Sequence, residues 1–241
     1  YAGTIVPGLW ADLMLYAGAD NFWTGAPTVS GTGSVVIFTY ISRSNAAAIT
    51  LANTVTLEVA VASAAERIIT LAGGLTCGPV IVRGNYNATH ISKLFMTGPL
   101  NCTTVTLGDG SNATGRLALG AGQTHTIAGA VAKTGTSTAH QLTFGGTCLL
   151  GGNVTLAGIT PDFGSAVILA SGDLTIDGAY AGTVTNTAAY IFANGHAVTI
   201  QNLAYTTAAA PLICVGCTDD GTNGAGVVFQ QPQRCMTGCG I

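Results

Sequence analysis

The chain has 241 residues, of which 7% are charged, against roughly a quarter in an ordinary soluble domain, and its formal net charge is −3. So few ions with no basic stripe exclude a nucleic-acid partner, and no apolar run reaches the ~18 residues of a membrane-spanning helix. Such a surface is built from Thr, Asn and Gly, or is covered by something else.

Residues 1–30 are rich in aromatics (Trp10, Tyr16, Phe22, Trp23), and "GLWADLMLYAG" is expected to form a short amphipathic helix. With no initiator Met and no signal peptide, a chain opening at Tyr1 is expected to be a processed product. This segment is expected to be an N-terminal cap.

From residue 31 to 205 the sequence repeats itself. Apolar-x-apolar triplets recur about every 24 or 25 residues in three interleaved columns. The first column includes Val55-Thr56-Leu57, Val80-Ile81-Val82, Val105-Thr106-Leu107 and Ala130-Val131-Ala132. The second includes Ile69-Thr70-Leu71, Leu94-Phe95-Met96, Leu117-Ala118-Leu119, Val167-Ile168-Leu169 and Tyr190-Ile191-Phe192. The third includes Ile49-Thr50-Leu51, Leu75-Thr76-Cys77, Leu100-Asn101-Cys102, Cys148-Leu149-Leu150, Leu174-Thr175-Ile176 and Val198-Thr199-Ile200.

Each triplet has strand period, its outer residues pointing to one side and its middle residue to the other. Three short strands per repeat predict an all-β, right-handed parallel β-helix of roughly seven coils, with non-repeating caps at both ends. The connection after each first-column strand is the long one and takes most of the charge, including Glu58, Glu66, Arg67, Arg83, Lys93, Asp109, Arg116, Lys133 and Asp162.

Middle residues point outward in this reading, and none of them is charged. No carboxylate pair, metal cluster or nucleophile with its base can be assembled there, so a non-enzymatic protein without a cofactor is expected. Phe95, Ile168 and Ile191 project from the second column as an apolar outer face, which predicts an assembly interface. Thr50, Thr76, Asn101, Thr126, Thr175 and Thr199 form a polar outer row on the third. His125 is inward, a core histidine, while His90, His140 and His196 fall in loops.

Cys77 and Cys102 are inward and one coil apart, which suits either a disulfide or a pair of stacked thiols. Cys148 is expected to be buried and unpaired. Residues 206–241 leave the repeat as a Cys-rich C-terminal cap, where Cys214, Cys217, Cys235 and Cys239 are disulfide candidates with zinc as the alternative. There Asp219 and Asp220 are a weak Ca²⁺ candidate beside the reading as a plain Asx turn. Seven cysteines, with sequons at Asn87, Asn101, Asn112 and Asn153, lean toward a glycoprotein in an oxidising setting, extracellular or on a cell or virion surface.

The repeat over residues 49–205 resembles parallel β-helix surface proteins: fibrous adhesins, autotransporter-like passengers and phage tail fibres. The resemblance rests on architecture. It implies a structural protein whose main partner is itself, in a filament, sheath or surface fibre. The alternatives are a glycan- or ice-binding solenoid, with cell-surface glycans as partners, or a polysaccharide-degrading enzyme of the phage tailspike type.

Overall fold

The computed structural model describes residues 4–5, 13–24, 28–29, 31–61, 65–84, 90–108, 113–178, 185–186, 189–205 and 210–232. The chain is an all-β parallel solenoid, and every strand pair described is parallel. One coil shows the plan: Ile91–Met96 lies in sheet C, Leu100–Cys102 in sheet A and Val105–Leu107 in sheet B. The next coil repeats it with Thr114–Leu119, Thr124–Ile127 and Val131–Lys133.

Among the described residues, sheet A has eleven strands, sheet B ten and sheet C seven. The solenoid is therefore three-sided over about seven coils. Sheets A and B continue past sheet C at both ends. Thr4–Ile5, Leu13–Tyr16 and Thr28–Val29 extend them at the start. Leu212–Val215, Thr218–Asp219 and Val227–Gln230 extend them at the finish. Both segments expected to be non-repeating caps thus add strands to the stack. Leu13–Tyr16, expected within a helix, is a strand paired in register with Val35–Phe38. Its LMLY run is as compatible with a strand as with a short helix, and the neighbouring coil supplies the hydrogen-bonding edge that decides between them.

Alternation drives the packing. In strands such as Val80–Gly84 and Leu100–Cys102, every second residue is buried, and these side chains make one continuous core column through the rod. Phe144 and Phe163 stack within it at 5.3 Å. Asx side chains fasten the corners from coil to coil. Asp20 accepts from the Ser44 N–H, Asn153 from Thr175 and Asp173 from Ala197.

The coil length is not constant. Val80 pairs with Val105 and Val105 with Val131, about 25 residues per coil, but Thr147 pairs with Val167, about 20. The shortening comes with a sheet C strand at Ile159–Gly164, containing Pro161 and Asp162, where the sequence predicts a connection. From that point the expected columns shift by one sheet. Val167–Ala170 and Tyr190–Phe192 belong to sheet A, and Leu174–Asp177 and Val198–Gln201 to sheet B. Val131 also differs from expectation: it is inward and buried, leaving Ala132 outside.

Where coils touch backbone to backbone, only glycine fits. A Cβ on Gly115 would stand 1.8 Å from the Val82 carbonyl oxygen, whereas one on Gly122 would meet nothing within 4 Å. Gly115→Ala is accordingly expected to cost ~3 kcal/mol or more, and Gly122→Ala, whose φ of 75° disfavours a side chain, ~1 kcal/mol. Urea unfolding of the two variants checks this; equal losses would show that the coils separate freely at Gly115.

Candidate functional site

The outer face of sheet A is the most sharply patterned surface of the molecule. Register carries one outward column through Thr50, Thr76, Asn101 and Thr126, then on through Leu149, Leu169, Phe192 and Val215 to Gln230. A second column runs Thr124, Thr147, Val167, Tyr190, Ile213 and Val228. In the first, the change from hydroxyl to hydrocarbon happens in one coil step, between Thr126 and Leu149.

The two halves differ in shape as well as chemistry. On the polar half a shallow groove of about 250 Å³ lies among Thr50, Thr76, Asn101, Thr124 and Thr126. On the apolar half Tyr190 and Phe192 stack at 5.9 Å with their planes 15° apart, and Tyr190 and Val228 are 36% and 37% exposed. An open groove of about 570 Å³ runs beside Leu169, Phe192 and Val215, bounded by the turn Ala193–His196, Gly216 and Pro232. Asn194 holds that turn in the left-handed region (φ 52°) and donates to the Ala170 carbonyl. Neither column carries a charge.

This face is not the expected one. Ile168 and Ile191 are 1% exposed, inside sheet A and in register with Cys148 and Cys214. They are core residues, because the shortened coil exchanges the inward and outward positions of their strands. Phe95 does lie outward, half-buried on sheet C between Thr70 and Ala118, with no large apolar neighbour along its column. The three therefore do not form one face. Thr175 and Thr199 stand on sheet B, apart from the Thr row of sheet A.

The apolar face was signalled in the sequence by continuous runs, "VILA", "YIF" and "LICV", whose strands have hydrocarbon on both sides. Charge also reaches the outer faces, since strands of sheets B and C run longer than triplets. Glu58 and Arg83 pair on sheet B, and Arg116 on sheet C pairs with Glu66 across two coils. Among the described residues no three of His, Cys, Asp and Glu gather as a metal site.

Asp219 and Asp220 form Asx turns. Asp219 accepts from Gly221 N–H and the Asn223 amide, and Asp220 from Thr222 N–H and hydroxyl. Their own loop thereby occupies oxygens that a Ca²⁺ ion would need. His125 is buried in the core: Leu100 N–H donates to its Nδ1, and its Nε2 donates to the Gly120 carbonyl. Burial holds it neutral, lowering its pKa despite the Gly120 bond. Cys148 stands beside it in register one coil on. His140, expected in a loop, is buried at the start of a sheet C strand, where Gly115 N–H donates to it. His196 lies 3.7 Å from Asp173 at the rim of the apolar groove.

Cys77, Cys102, Cys148, Cys214 and Cys217 are free thiols, all buried. Of the two arrangements open to Cys77 and Cys102 the structure has the stacked thiols, and no disulfide joins the candidates Cys214 and Cys217 among the described residues. The thiols serve as small apolar core residues. Cys235 and Cys239 lie outside the described residues, as do sequons Asn87 and Asn112. Asn101 is exposed on sheet A, and Asn153 is exposed while its side chain accepts from Thr175 N–H.

No protein-family model, curated protein or solved structure matches the chain. Among the described residues no helix is long and apolar enough to cross a membrane.

Burial pushes the thiols of Cys102 and Cys148 up to about 12 from an ordinary 9.0. Between Cys214 and Cys217 the mutual hydrogen bond raises the former and lowers the latter. At pH 8 without denaturant, iodoacetamide is expected to leave Cys77, Cys102 and Cys148 unmodified and to reach Cys217 before Cys214; peptide mapping reads the order. A raised folded pKa makes the thiol contribution full below pH 9 and lost as pH rises toward 12. Stability is therefore expected to fall above pH 9 by about 1.4 kcal/mol per pH unit for each such thiol, and less steeply in Cys148→Ala. A mapped Cys77–Cys102 disulfide, or a flat alkaline profile, would contradict this picture.

Proposed function

We propose that the protein is a non-enzymatic structural subunit that self-associates into a filament, sheath or surface fibre. The observation that carries this is the apolar half of the sheet A face. Eight outward positions, from Leu149 to Val228, are aliphatic or aromatic, stacked coil on coil and free of charge. A monomer leaves that patch in water, and covering it returns ~25 cal/mol per Å². The low charge of the whole chain supports the same reading. An extracellular or cell- or virion-surface location rests on composition and sequons, since the described cysteines lend it no disulfide.

The polar half of the face favours a second reading, contact with glycans or with ice. Thr50, Thr76, Asn101 and Thr126 stand in register at the strand spacing over a shallow groove. Glycan arrays and an ice-recrystallisation assay test it, with Thr76→Lys expected to abolish any signal.

For the structural reading, sedimentation mass is expected to rise with protein concentration. Leu169→Asp and Phe192→Asp each remove about 1.5–3 kcal/mol of burial, a loss of about tenfold to a hundredfold in association. Phe95→Asp, on another sheet, is expected to change association little. A monomer that persists at high concentration would overturn the reading.

A further inference from the structure

The sheet A face points to one mode of contact between two copies. We propose that the chain pairs with a second copy in a two-fold, antiparallel arrangement through the C-terminal halves of sheet A alone, leaving the Thr half of each face in water. This rests on the reading that the apolar half is an assembly surface, and it specifies the partner and the orientation.

The division of the face decides the geometry. Thr50, Thr76, Asn101 and Thr124 are exposed, and burying their polar groups without partners costs free energy. Full overlap with the two rods parallel would bury Thr rows on Thr rows. Full overlap with them antiparallel would set Thr rows on hydrocarbon. Only a half-face overlap about a two-fold axis covers the apolar columns, with no polar outward residue beside them except Thr147 and Gln230 on the two end strands. Such an isologous contact needs a self-complementary patch. An uncharged strip meets no like charge in its own copy, and the strand spacing of about 4.8 Å is the same on both sides.

The patch spans five strands, from Thr147–Leu150 to Val227–Gln230, and the middle one is Tyr190–Phe192. The axis thus passes beside the stacked aromatic pair, the central position where interface energy concentrates. Five strands at about 4.8 Å give a strip about 24 Å tall, and two outward columns make it about 14 Å wide. Two copies would bury on the order of 800 Å² in all, below the ~1,200 Å² of standard stable interfaces. The pair is therefore a weak, reversible one. It is closed, so longer growth uses another surface.

The test is site-specific photo-crosslinking of the full chain with p-benzoyl-phenylalanine at Ile213 and, separately, at Thr76, with the crosslinked peptides identified by mass spectrometry. Across the axis the strand of Ile213 faces that of Val167 and Leu169. Crosslinks from position 213 into the 167–170 strand of the other copy, none between chains from position 76, and at least a tenfold lower yield on adding Phe192→Asp are expected. Crosslinks joining 213 to 213 and 76 to 76 would show whole-face parallel packing, which overturns this geometry while the structural reading stands. Assembled material with no crosslink from either position would place the contact elsewhere, overturning this geometry and the apolar half as the assembly surface, while self-association itself stands. A monomer with no crosslinks would overturn both.

Discussion

The parallel hydrogen bonding between coils is the constraint on which everything else depends. Each strand interior meets its backbone needs from the coils above and below, as in the five-residue register joining Val80–Gly84 to Leu57–Val61. That bonding fixes the coil spacing, and fixed spacing turns each side-chain position into a column. A column is apolar, polar or charged as a unit, so chemistry is organised along the rod. Gly115 shows the other side of the constraint, since its backbone lies against Val82 too closely for any side chain.

Columns also explain why faces matter more here than clefts. The inward columns spend their variety on packing, with thiols, a neutral histidine and a Phe144–Phe163 stack filling the interior. What remains for recognition is the outer surface, and sheet A divides it into a hydroxyl half and a hydrocarbon half. Among the described residues, charge is confined to sheets B and C and to the corners, where Glu58–Arg83 and Glu66–Arg116 neutralise one another. A face that is long, uncharged and apolar at one end is suited to a neighbour of the same kind.

The repeat made the architecture readable. From Ile49 to Leu150 the expected columns coincide with the observed sheets nearly strand for strand, because coil length there stays near the period and the triplets keep strict alternation. Beyond Leu150 the reading slips, for local reasons. Pro161 and Asp162 resemble turn residues, yet they sit in a sheet C strand opposite Leu142 and Thr143, and Pro161 has no N–H to give the ladder. Losing that strand shifts every later triplet by one sheet, which moved Ile168 and Ile191 outward on paper and hid Leu169 and Phe192. The face itself was legible only as runs without alternation. Cys77 and Cys102 stayed open for a different reason: position one coil apart permits a disulfide, but chain geometry alone does not choose between a bond and two packed thiols.

The central claim is that the hydrocarbon half of sheet A drives association. Sedimentation velocity across a protein concentration series, repeated from about 0.05 to 1 M salt, tests it most directly. Apolar burial predicts a weight-average mass that rises with concentration and is undiminished at high salt. A single monomeric species throughout, or an association that dissolves as salt screens charge, would contradict the account.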